Sequence, residues 1–143
     1  MTKATRLARA AACVNRVDDI HITMRTTRGL ILKRPSKLPD PRCTSVSAEV
    51  SPHFRPAAWA NLASAKTNAV FMKYPLRVTG ALTFDAEHKP CANGKPASGS
   101  PVRISVWEIH PVYAVDVCKF TTLKQCDASD DTAWTPFDKF KAR

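Results

Sequence analysis

Three segments of this chain alternate apolar and polar residues with a period of two, and stretches containing Pro or Gly separate them. In residues 19–24, Ile20, Ile22 and Met24 share one face, and Asp19, His21 and Thr23 the other. In residues 44–50, Val46, Ala48 and Val50 face inward, and Ser45, Ser47 and Glu49 outward. In residues 76–85, Leu76, Val78, Leu82 and Phe84 point one way, and Arg77, Thr79, Thr83 and Asp85 the other. Side chains of a strand alternate in this way, so each segment predicts a half-buried strand. The chain has 11 prolines in 143 residues, above the usual ~5%. They favour many short elements over a few long ones.

Further strands are predicted at 30–32, 102–109 and 112–118. The stretch 102–109 is apolar on both faces, which suits a central position, and Pro111 breaks or bends it. Gly80, on the apolar side of its strand, predicts a bend or bulge. One helix is predicted over 56–66: Pro56 suits the first helical position, and Trp59, Leu62 and Ala63 form its apolar stripe. The inventory predicts a mainly β fold, a small OB-like, partly open β-barrel with one short helix between strands three and four. A β-sandwich is the alternative, though it usually needs about seven strands. The organisation reads as a basic N-terminal arm or mis-assigned start (1–16), a barrel domain (17–126) and a C-terminal tail (127–143). That tail would lay Trp134 and Phe137 on the barrel.

The net charge is +10, of which residues 1–42 carry +7 and residues 43–143 carry +3. A basic third of this kind can attract nucleic acid or an anionic surface. No aromatic residue interleaves with it before Phe54, which argues against a stacking platform there. No apolar run approaches the ~20 residues that span a bilayer. Five cysteines without a Cys-x-x-Cys favour disulfides over a zinc site. Cys118 and Cys126 can close a local bridge, Cys43 and Cys91 a second, leaving Cys13 over. The preferred compartment is therefore oxidising and extracytoplasmic, periplasmic or secreted; a cytoplasmic chain with reduced thiols is the alternative. Residues 1–9 are basic, as in a signal peptide, but residues 10–14 are too short for its apolar core.

Four blocks carry a family resemblance: Asp18-Asp-Ile-His-Ile22, Ser47-Ala-Glu-Val-Ser-Pro-His-Phe-Arg-Pro56, Val78-Thr-Gly-Ala-Leu-Thr-Phe-Asp-Ala-Glu-His-Lys-Pro-Cys91 and Trp107-Glu-Ile-His-Pro-Val-Tyr113. They resemble the signature blocks of a group of uncharacterised, exported bacterial proteins, over about residues 17 to 137. The resemblance implies a small β-rich extracytoplasmic domain and names no activity. The chain departs from the pattern at its N-terminus, where an export signal is expected.

Each of the four histidines has a carboxylate nearby: Asp19 with His21, Glu49 with His53, Asp85 and Glu87 with His88, and Glu108 with His110. Imidazole and carboxylate are the ligand types of zinc, so a divalent metal is a candidate cofactor, held by His21, His110 and Glu108, or Asp85. Strand parity separates His21, on a polar face, from His110, which shares parity with Ile104 and Val106. In a hydrolase, Asp85 or Glu108 would be the base, and Arg77 or Arg103 would stabilise developing charge. No phosphate loop, Gly-x-Ser-x-Gly elbow or His-Glu-x-x-His is present. Trp107 would either stack on a sugar or base or pack in the core against the helix. The residues therefore predict a binding or interaction module of unknown ligand, with Asp19, His21, His88, Trp107 and His110 as its ligand-binding set. The alternatives are a metal-dependent hydrolase and a macromolecular or anionic partner bound through the basic third.

Overall fold

The computed structural model describes residues 3–14, 19–26, 36–97 and 101–142, the first of these as backbone alone. All three alternating segments form strands: β2 (Ile20–Arg25), β3 (Val46–Val50) and β4 (Leu76–Phe84). They join β1 (Lys3–Val14), β5 (Trp107–Cys118) and β6 (Trp134–Pro136) in one six-stranded sheet of order β3-β2-β1-β4-β5-β6. Neighbours in that order are antiparallel, and β3 also meets β5 in parallel at Ala48↔Ile109. One α-helix, α1 (Ala65–Lys73), lies between β3 and β4. The protein is thus mainly β with a single helix among the described residues.

The register Ile20↔Val50, Ile22↔Ala48, Met24↔Val46 stacks the apolar set of β2 on that of β3. Leu76, Val78, Val112, Val115 and Val117 continue this face, and Leu62, Trp59, Phe71 and Tyr74 close it. Phe137 joins it edge-on to Trp59 and Phe71. Full burial of a side chain such as Phe71 contributes about 1.5–3 kcal/mol. A second, smaller cluster gathers Cys118, Cys126, Ala133 and Trp134.

Four expectations need correction. The stretch read as a basic arm supplies β1, which pairs with β2 on one side and β4 on the other. Its Ala- and Arg-rich sequence lacks a β signal, and pairing on both edges overrides propensity. The helix begins nine residues later than predicted: Pro56 opens only a 3-10 turn, and Ser64 caps α1 by accepting from the Thr67 N–H. Residues 102–106 are not strand; β5 instead runs through Pro111. The Pro is tolerated because the β4–β5 register slips there, from Gly80↔Val112 to Leu82↔Ile109. That slip is the bulge anticipated at Gly80, and it reverses the facing of the rest of β4. Ala81 is buried while Leu82 and Phe84, expected inward, are exposed. The strand predicted at 30–32 and the side chain of Cys13 lie outside the described residues.

Gly80 is required by the close approach of β5. A Cβ at this position would strike the Pro111 carbonyl oxygen and Ile109 Cγ2. Gly80→Ala is therefore expected to cost about 1–3 kcal/mol, as overpacking does, read as a lowered urea midpoint. An unchanged midpoint would mean that β5 moves aside freely.

Candidate functional site

Glu49 is the centre of a buried charge network. It stands opposite His21 in the β2–β3 register, on the face turned away from Ile22 and Ala48. His21 Nε2 lies 2.9 Å from Glu49 Oε1. Because Ala48 meets Ile109, the residues flanking Ile109 share the side of Glu49. His110 Nδ1 is 3.3 Å from Glu108 Oε1 and 3.7 Å from Glu49 Oε2.

Arg103 enters from the connection between β4 and β5. Backbone bonds from Asp85 N to Val106 O (2.9 Å) and Cys91 N to Arg103 O (2.9 Å) brace that connection, and one from Ile104 N to Ser45 O (2.7 Å) ties it to the start of β3. The Cys43–Cys91 disulfide pins it further. Its turn is set by Asn93 and Gly94, both at positive φ, between the bridged pair Ala92 and Lys95. Only 1% of Arg103 is exposed. Its NH1 donates to Asp85 Oδ2 and Glu108 Oε2, each at 2.8 Å, and NH2 lies 3.7 Å from Glu49 Oε1. One guanidinium thus gathers carboxylates from β3, β5 and the end of β4. Asp85 also accepts from the Glu87 and His88 amides and lies 2.8 Å from His88 Nδ1.

The charges set opposite demands on the carboxyls. Burial pushes Glu108 up, and the Glu49 charge adds to this against the pull of Arg103. Burial also pushes Glu49 up, but the His21 hydrogen bond and the His21 and His110 charges hold it below its ordinary value. Asp85 is likewise held low, burial being outweighed by the Glu87 and His88 bonds and by Arg103. His21 is raised by its bond to Glu49, which with the Glu49, Asp19 and Glu108 charges overcomes burial. Splitting of a carboxyl pair is how acid and base roles arise. Yet Glu49 and Glu108 are buried, and only the edges of His88 and His110 and part of Asp19 reach solvent. The network can hold protons and fasten the β4–β5 connection.

Six expected residues therefore come together: Asp19, His21, Asp85, His88, Glu108 and His110. The metal set is regrouped. One ligand atom each of Asp19, Glu49 and His110 lie within 4.8 Å of one another, as do those of Glu49, Asp85 and Glu108; His21 instead faces Glu49. His110 does not point into the core, because Ile109 takes that direction. His53 is exposed on a 3-10 turn, and its expected partner Glu49 pairs with His21 instead. Arg77 lies elsewhere, bonded to Asp116 and Asp131 and 5.2 Å over the Trp134 ring. Trp107 is not a core residue: it is 50% exposed and meets the exposed Phe84 edge-on at 5.5 Å. A cavity of about 450 Å³ lies apart from all of these, between α1 and the C-terminal segment, floored by Phe71, Phe137 and Phe140 and bordered by Asn61, Lys66 and Asp138.

Sequence reasoning paired Glu49 with His53 rather than His21, left it out of the site set, and gave Arg103 only a conditional role. The available signal was the Cys43/Cys91 pair, which implies that the β4–β5 connection folds back over β3. Both anticipated disulfides form, Cys43–Cys91 and Cys118–Cys126, which fits an oxidising compartment. Among the described residues, no helix is long and apolar enough to cross a membrane. Comparison with protein-family models, curated proteins and solved structures finds no match to this chain.

Proposed function

We propose that this chain is an extracytoplasmic binding module, built as an OB-like, partly open β-barrel, that holds a ring-bearing ligand on Trp107 and Phe84. The strand order, the parallel β3–β5 contact and the helix between β3 and β4 support the barrel reading. Two disulfides and the resemblance to exported bacterial proteins support the location. One observation carries the binding role: of three tryptophans, Trp59 and Trp134 are buried and Trp107 is exposed against an exposed Phe84. A soluble surface displays such a pair at a cost in solubility, and paired rings suit stacking on a sugar or base.

Trp107→Ala is expected to weaken binding of a panel of oligosaccharides or single-stranded oligonucleotides by about 1–3 kcal/mol while changing folding stability by less than about 0.5 kcal/mol. Calorimetric titration reads this in both proteins, and in the native protein quenching of the exposed Trp107 indole reports a stacked ring. A panel that leaves the emission of the native protein unmoved would sink the platform. Affinity for oligonucleotides that falls steeply with salt would bring in the basic N-terminal third as well.

A metal-dependent hydrolase is the second reading, favoured by the approach of Asp19, Glu49 and His110. The positive Arg103 beside Glu49 opposes it. That reading requires about one divalent ion per chain, lost in His110→Ala, when metal is assayed in protein purified without chelator. Metal-free native protein excludes it.

A further inference from the structure

We infer that the space between Arg103 and the outer face of β3 is a binding site for internal water. Ser45, Ser47 and Glu49 alternate along the chain, so their side chains share the face opposite the core. Ser45 and Ser47 are each 1% exposed, yet among the described residues neither hydroxyl has a hydrogen-bond partner. Arg103 Nε and NH2 are also buried without one. These groups adjoin. The Ile104 amide bonds the Ser45 carbonyl, while the Arg103 guanidinium reaches to within 3.7 Å of Glu49. The side chain of Arg103 therefore runs along β3 from Ser45 toward Glu49, passing Ser47.

Four buried polar groups in one place call for a ligand. Its chemistry is bounded by its surroundings. The two guanidinium donors need an acceptor, so a cation is unsuitable. Glu49, Glu108 and Asp85 around the same guanidinium exclude an anion. The burial of Arg103 on all sides excludes anything large. A molecule that accepts from Arg103 and exchanges hydrogen bonds with two hydroxyls, neutral and small, is water, which in such sites makes about three hydrogen bonds. It would complete the fastening of the β4–β5 connection on β3.

The test is a crystal structure of the native protein at a resolution that places waters, beside Ser47→Val. The expected result is ordered water within hydrogen-bond distance of Arg103 Nε or NH2 and of Ser47 or Ser45 Oγ, displaced in the variant. Direct closure of Arg103 onto Ser47 or Glu49, with no density between, overturns the inference. So does density with the contacts of an anion or metal ion. Should Ser47→Val fail to fold, the native density alone decides.

Discussion

Arg103→Leu is expected to destabilise the protein by about 3–5 kcal/mol at pH 7, the cost of leaving buried charge unpaired when one partner is removed. In a chain of this length that lowers the melting temperature by roughly 10 °C. The reason is specific to this network. Asp85 and Glu108 share NH1, and Glu49 lies beside NH2, so one deletion leaves three carboxyls without their cation. The effect should depend on pH, with a sign set by linkage. In the native protein, Glu49 and Asp85 are held low. They contribute stability above their unfolded values that is lost as pH falls through the folded ones. Without Arg103, which lowers Asp85 and opposes the rise of Glu108, the folded values of these two climb. Groups raised in the folded state stabilise below their unfolded values, and that contribution is lost as pH rises. The gap between native and variant should therefore be widest near neutrality and narrow toward pH 4. Denaturant unfolding of both proteins at pH 7 and pH 4 measures it. An equal gap at both values would mean that Arg103 acts through packing rather than charge.

How much of the fold and site was legible depends on which signals are local. The alternation of β2, β3 and the first half of β4 is local, and those strands stand where the pattern places them. The Gly80 bulge was legible as a bulge but not as a reversal, because the reversal depends on how β5 slides past it. Leu82 and Phe84 accordingly exchanged core for surface, and with them Trp107. The helix start was misplaced because Pro56 is a generic opening signal, whereas Ser64 acts through its bond to the Thr67 amide. β1 was invisible for a different reason: its strand state comes from two neighbours distant in sequence. The site divides the same way. His88 with Asp85, and His110 with Glu108, meet as near neighbours. His21 finds Glu49 across a register that only the folded sheet sets, and Arg103 reaches the same carboxylate from a connection distant in sequence. Alternation alone makes the face of Ser45, Ser47 and Glu49 look solvated. It is the second layer over that face that makes it a site.

That second layer depends on Cys43–Cys91, and the two disulfides should differ in what they hold. In the chain-entropy account, a bridge separated by 48 residues, as Cys43–Cys91 is, contributes about 4 kcal/mol; one separated by 8, as Cys118–Cys126 is, contributes about 2.5 kcal/mol. Cys43→Ser with Cys91→Ser is therefore expected to cost more than Cys118→Ser with Cys126→Ser. A qualitative difference should accompany it. Cys91 donates its amide to the Arg103 carbonyl, so freeing it loosens the segment that carries Arg103 toward Glu49. Cys118 and Cys126 pack with Ala133 and Trp134, away from the network. His21 reports on this directly, since its raised titration rests on the Glu49 bond and the surrounding carboxylates. Followed by NMR, the His21 midpoint should move when the 43–91 bridge is removed and stay in place when the 118–126 bridge is removed. If both variants shift it equally, or neither does, the disulfide braces the chain without holding the cover over β3. The charge network would then be a property of the sheet alone.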